Sequence, residues 1–98
     1  MSLKILVVDD DDRVLRTFAR NLKMAGHTVL TASRGAQALA IYHEKQPDIV
    51  TLDMRMPGLD GFGALQEIRR HDPEAEVILT TGHGDKERAR RDLAGLRR

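Results

Sequence analysis

The chain has no cysteine and no tryptophan, and only one tyrosine and two phenylalanines among its 98 residues. Without cysteine there are no disulfides, no thiolate metal sites and no cysteine nucleophile. Aromatics make up 3% of the chain, so there is no platform on which bases could stack, and the core must come from Val, Ile, Leu and Ala. Charge of one sign is lacking too. The net charge is +1, which argues against strong electrostatic capture of nucleic acid. The apolar run at the N-terminus, Ile5-Leu6-Val7-Val8, is too short for a signal-peptide core or a membrane span. A soluble, cytoplasmic protein with no membrane contact is the expectation.

What remains is ordinary for a small globular domain. Apolar residues are 41% and charged residues 32%. A chain of this length builds one modest core with little stability to spare. Its periodicity alternates. Ile5–Val8 reads as a strand buried on both faces, as in a parallel sheet. Asp9–Asp12 is a turn and a helix start. Val14, Phe18, Leu22 and Ala25 then recur at helical spacing, with Leu15 widening the stripe, and Gly26 stops the helix. His27–Ala32 is a second strand and Ser33-Arg34-Gly35 a loop. Ala36–Lys45 is a helix ended by Gln46-Pro47.

Ile49–Leu52 is the third strand and finishes on Asp53. Arg55–Gly61 is a Gly- and Pro-rich loop, with Pro57, Gly58 and Gly61 shaping it. Phe62, Leu65 and Ile68 mark a third helix, stopped by Asp72-Pro73. Val77–Thr80 is the fourth strand and Thr81–Gly84 a loop. From Asp85 onward the chain is helical, with Ala89, Leu93 and Leu96 as its apolar positions. Four βα units imply an α/β fold: a parallel sheet with helices on both faces and right-handed crossovers.

In such a sheet, ligands sit beyond the carboxyl ends of the strands. Strand 1 ends on Asp9 and Asp10, strand 3 on Asp53, strand 4 on Thr80 and Thr81. If strands 1, 3 and 4 are neighbours, these groups lie one strand spacing apart, roughly 4.8 Å per step. Three carboxylates that close need a proton or a cation between them. All-oxygen ligands favour a hard ion, and Mg²⁺ suits carboxylates completed by water and phosphate. A metal-held phosphate beside a carboxylate suggests phosphoryl transfer onto it, with Thr81 bonding a phosphoryl oxygen. Asp11 and Asp12 serve as helix cap and first turn. Thr80 reads as a buried strand residue. His27, His43, His71 and His83 read as surface histidines, with His83 alone near the expected site. The basic stretch Lys86–Arg91 through Arg97-Arg98 reads as a solvated helix face, or as a partner contact.

Three segments carry a specific resemblance: Ile5-Leu6-Val7-Val8-Asp9-Asp10-Asp11, Asp53–Gly61, and Val77–Asp85. In this order and spacing they resemble the receiver domains of two-component response regulators. The resemblance implies a flavodoxin-like sheet of order 2-1-3-4. It implies that Asp53 is the phosphoacceptor and that Asp9 and Asp10 bind Mg²⁺, Asp10 directly and Asp9 mainly through water. It implies that the backbone carbonyl of Arg55 completes the metal site, and that Thr81 is the switch hydroxyl. The side chains of Arg55 and His83 match positions that tune phosphoryl lifetime. The implied partners are a sensor histidine kinase and an output domain or protein of unknown identity, contacted through helix 4.

The family normally carries a fifth βα unit whose strand bears an invariant lysine and an aromatic switch residue. Nothing here matches either. Lys86, in the loop or first turn after strand 4, does not match the lysine. The expectation is therefore a receiver domain over 1–98, truncated after the fourth helix. It would have an exposed edge at strand 4, a sheet face partly uncovered, and an impaired read-out. It is either a fragment or a chain whose edge a partner supplies, an identical copy included. Two other functions stay open. One is a phosphorylation-incompetent structural or dimerisation module. The other is a haloacid-dehalogenase-type phosphatase, although Asp9–Arg13 lacks that family's closing Thr or Val. A nucleotide-binding Rossmann domain is disfavoured, since no glycine-rich loop follows strand 1.

Overall fold

The computed structural model describes residues 2–56 and 61–95. The expected loop residues Pro57 and Gly58, and Leu96 with Arg97-Arg98, lie outside the described residues. The elements run β1 (Lys4–Val8), α1 (Asp12–Met24), β2 (Thr28–Ala32), α2 (Gly35–Lys45), β3 (Ile49–Asp53), α3 (Gly61–His71), β4 (Val77–Thr80) and α4 (His83–Ala94). All strand pairs are parallel, in the order β2-β1-β3-β4. This is the flavodoxin-like arrangement expected from the sequence. No described helix is long and apolar enough to cross a membrane.

The continuous apolar strands are explained by two cores. Ile5 and Val7 of β1 point to one face, with Leu15, Phe18 and Leu22 of α1 and Ala89 and Leu93 of α4. Leu6 and Val8 point to the other, with Ala38 and Tyr42 of α2 and Ala64 and Ile68 of α3. Every position of β3 is buried. Successive side chains in a strand face opposite ways, so a strand covered on both sides has no polar positions to spare.

One sheet face was expected to lose part of its cover: α4 packs beside α1 and covers that side through Ala89 and Leu93, while Leu79 of β4, level with Leu52 on the α2–α3 face, is exposed. One expectation changes here. Phe62 was read as part of the apolar stripe of α3, yet it is 56% exposed. The buried positions of α3 are Gly61, Ala64 and Ile68, a stripe that leaves Phe62 off the sheet-facing side. The edge expectation holds among the described residues: β4 pairs with β3 alone, and Leu79 is exposed.

On the α2–α3 side, the Tyr42 hydroxyl donates to Asp72 at 2.9 Å. Burial, then the bond to the Asp72 carboxylate, push the Tyr42 hydroxyl up from 10.0 to about 12. Both causes favour the protonated hydroxyl in the fold. The folded chain therefore holds this proton more tightly than the unfolded one, and the benefit is intact below pH 10 and lost as pH rises towards 12. Urea unfolding across that window is expected to show wild type losing stability more steeply than Tyr42→Phe. Parallel slopes would remove Tyr42 as the cause.

Candidate functional site

Strand register builds the site. Val8 pairs with Leu52, so Asp9 emerges level with Asp53, and Asp53 itself pairs with Thr80. The ladders continue one step on: the Asp9 N–H donates to the Ala32 carbonyl and the Met54 N–H to the Thr80 carbonyl. Asp9 and Asp53 are held at the sheet end at 2% and 3% exposure, while Asp10 is exposed. Carboxylate oxygens of Asp9, Asp10 and Asp53 lie within 4.8 Å of one another. The three expected metal residues are brought together.

The two buried carboxylates are held alike. Asp9 Oδ1 accepts the Asp11 N–H at 2.9 Å, and Asp53 Oδ1 accepts the Arg55 N–H at 3.0 Å. An aspartate that bonds the backbone two residues on folds its own loop. The other two acids go to the helix, as expected. Asp11 caps α1 by accepting the Arg13 N–H, a bond that holds its carboxyl below the ordinary carboxylate range. Asp12 lies in the first turn, where the helix dipole favours a negative charge.

The remaining oxygens face a cation that the sequence did not lead us to place there. Lys86 Nζ lies 2.8 Å from Asp9 Oδ2 and 3.4 Å from Asp53 Oδ2. Burial disfavours the ammonium, but the bonds and charges of Asp9 and Asp53 outweigh that and raise its pKa above the ordinary lysine value. Lys86 was set aside as unmatched, lying in a loop or first turn. The first turn is where it is, in a helix that starts at His83 and not at Asp85. Packing beside α1 then hangs that turn over the strand ends. The signal was present: Lys86, Ala89 and Leu93 are spaced i, i+3, i+7, so the lysine continues the buried stripe of α4.

Thr81 sits at the end of β4 as expected, but its hydroxyl donates to Asp85 Oδ2 at 3.0 Å, and its N–H donates to the same oxygen. Thr80 is the buried strand residue it was read to be, with its hydroxyl against the Leu52 carbonyl. The Arg55 side chain is exposed, and His83 lies 3.1 Å from Glu87 on its own helix. Gly61 is the first residue of α3 and not part of the preceding loop. A Cβ there would collide with the Asp53 carbonyl oxygen and lie 2.5 Å from Met54 Cα, so only glycine lets α3 approach the end of β3 this closely.

His27 corrects the reading of all four histidines as surface groups. It is 6% exposed. The Leu3 N–H donates to its Nδ1, and its Nε2 lies 3.1 Å from the Leu93 carbonyl. A backbone N–H on Nδ1 and a carbonyl on Nε2 fix the proton on Nε2. His27 ties the start of β1 to the end of α4.

The donor set fits a hard divalent cation. Among the described residues it is three carboxylates without nitrogen or sulfur ligands, and the Lys86 ammonium shows that the cluster draws positive charge to this spot.

A family model for the response regulator receiver domain matches residues 5–95. A probable transcriptional regulator ycf27 of Guillardia theta is 44% identical over 82 residues, covering 84% of this chain and 32% of that protein. The chain thus spans about a third of the length of the curated ycf27 relatives it matches. A response regulator receiver domain protein from Clostridium thermocellum superposes with a TM-score of 0.78 at 42% identity, over 89% of this chain and 71% of that one. Response regulator TrrA of Thermotoga maritima, solved with Mg²⁺–BeF, gives 0.78 at 34% identity, over 96% and 78% of the two chains. TrrA solved in complex with histidine kinase ThkA gives 0.76 at 35%, over 85% and 72%.

Proposed function

The chain belongs to the response regulator receiver domain family, a component of two-component signalling, and on that premise we propose that Asp53 accepts a phosphoryl group from a histidine kinase in a Mg²⁺-dependent step. The carrying observation is the convergence of Asp9, Asp10 and Asp53 at the ends of neighbouring strands, with Asp53 buried and one of its oxygens turned to a cation.

Asp53 Oδ2 is the nucleophile, since Oδ1 is occupied by the Arg55 N–H. It forms a bond to phosphorus as the phosphorus–nitrogen bond of a phosphohistidine breaks, and the imidazole leaves with that electron pair and takes up a proton. The product is an acyl phosphate on Asp53. Asp10 and Asp53, with the Arg55 carbonyl and with Asp9 mainly through water, would hold Mg²⁺, which would supply positive charge against the carboxylates and the phosphoryl oxygens. Thr81 donates its hydroxyl to the phosphoryl group after leaving Asp85. Water later hydrolyses the acyl phosphate, so the catalysis is self-directed and the chain turns over no separate substrate.

On this reading residues 1–98 act as one receiver unit in the cytoplasm. Its partners are a histidine kinase, an output protein and, at the free β4 edge, a second copy of the chain. The kinase partner is supported by the ThkA complex of the TrrA relative. The phosphatase alternative is weaker, because Asp9–Arg13 after β1 lacks the closing Thr or Val of that family.

The test is intact mass after incubation with Mg²⁺ and acetyl phosphate. Wild type is expected to gain one phosphoryl group that Asp53→Ala does not gain and that chelation prevents. A folded wild type that gains nothing would favour the inert dimerisation module instead.

A further inference from the structure

We propose that Lys86 competes with the divalent cation for Asp9 and Asp53, so that cation binding frees the first turn of α4 from the sheet. This rests on the proposed Mg²⁺ site.

One oxygen of each buried carboxylate is already taken. Asp9 Oδ1 and Asp53 Oδ1 are engaged by backbone N–H groups. Their Oδ2 atoms are the ones the Lys86 ammonium touches, at 2.8 and 3.4 Å. A divalent ion that draws on these two carboxylates meets a positive charge already in contact with both. Like charges this close, in a partly buried site, are little screened by salt. The ammonium and the metal therefore weaken one another.

The helix is built so that only one end answers. At the far end, Leu93 is buried and its carbonyl is bound by His27. Near the site the hold is slight. The N-cap is Gly82, which offers no side-chain bond, and open space surrounds the Cβ positions of Gly82 and Gly84. Ala89 is the first residue of α4 buried in the core. Ahead of it, the described contacts between α4 and the strand ends are the ion pair of Lys86 and the bonds of Asp85 to Thr81, which reach the end of β4 but neither acidic strand. Released from the carboxylates, the ammonium has an acceptor in reach: a cleft of about 340 Å³ between α1 and α4 is lined by Lys86 itself, Asp11 and Glu87, with Arg13, His83 and Arg90 as its basic groups. The first turn of α4 thus reports the charge in the site, with Leu93 as pivot.

The test is a calorimetric Mg²⁺ titration of the whole chain, with hydrogen exchange alongside. Lys86→Gln is expected to bind Mg²⁺ about tenfold more tightly than wild type, the scale of ordinary coupling between sites, with Lys86→Arg close to wild type. Linkage makes the effect reciprocal, so in wild type Mg²⁺ should speed exchange in the first turn of α4 by about the same factor and leave the Leu93 end unchanged. Equal or weaker binding by Lys86→Gln, while wild type takes up Mg²⁺, overturns the role of Lys86 alone. If Lys86→Gln fails to fold, exchange in wild type decides, and slower or unchanged exchange in the first turn on adding Mg²⁺ overturns it. A wild type that takes up no Mg²⁺ overturns the metal site and this inference together.

Discussion

Gly61→Ala is expected to lower the stability of this domain by about 3 kcal/mol or more, near the top of the range for overpacking. Two effects oppose each other at this position. Alanine is the better helix former, worth about 0.5–1 kcal/mol over glycine inside a helix. Against that, its Cβ would strike the Asp53 carbonyl oxygen and press on Met54 Cα. Neither obstacle is the flexible end of a side chain. Backbone must move, at the end of the most buried strand in the sheet. The steric term therefore wins, and the sign of the result reports which term dominates. A chain of this size has a total stability on the order of 5–15 kcal/mol, so the loss is a large share. The urea midpoint should fall sharply, and Mg²⁺ affinity with it, because Asp53 is what shifts. An unchanged or raised midpoint would show that α3 does not approach β3 as closely as described.

Much of this site was legible in the sequence, for a physical reason. In a parallel sheet the chain order and the apolar runs fix where each strand stops. The polar residues just past Val8, Leu52 and Leu79 had to come out at one edge. Asp9, Asp10 and Asp53 therefore needed no tertiary information beyond the order of the strands. The caps were legible too, since Asp11 and Gly26 act locally.

What local pattern could not give was the choice of face. A helix that follows an edge strand can lie on either side of the sheet, and the period of its apolar residues is the same for both. Ala89 and Leu93 announce a buried stripe without saying against what. Because α4 lies beside α1, Lys86 reaches the acidic pair and the α1 face keeps its cover. Phe62 misled in the opposite sense. A large aromatic was read as a core residue, but α3 sits so close to the sheet that its buried positions are the small ones, Gly61 and Ala64, with Ile68. Close approach of a helix selects small residues at the contact and turns bulky ones aside.

His27 carries the second large effect. His27→Leu is expected to cost roughly 2–6 kcal/mol, from two buried backbone groups left without partners at about 1–3 kcal/mol each. The position is set by the end of α1. Gly26 adopts φ +94°, its N–H bonds the Lys23 carbonyl, and the His27 N–H bonds the Leu22 carbonyl. That is the double hydrogen bond of a Schellman motif, in which the residue after the glycine turns back towards the helix and into contact. A histidine there goes inward, which is why the surface reading misplaced it. Inside, its two nitrogens satisfy the Leu3 N–H and the Leu93 carbonyl, groups 90 residues apart in the chain. Leucine restores most of the lost volume but neither bond, so it isolates the hydrogen-bonding share. His27→Ala adds a cavity and should cost more still. Urea unfolding measures both, and hydrogen exchange at the end of α4 should quicken beyond the global change. A cost for His27→Leu below about 1 kcal/mol, the net worth of one ordinary hydrogen bond, would mean that Leu3 and Leu93 find other partners. It would also remove the fixed pivot about which the first turn of α4 moves.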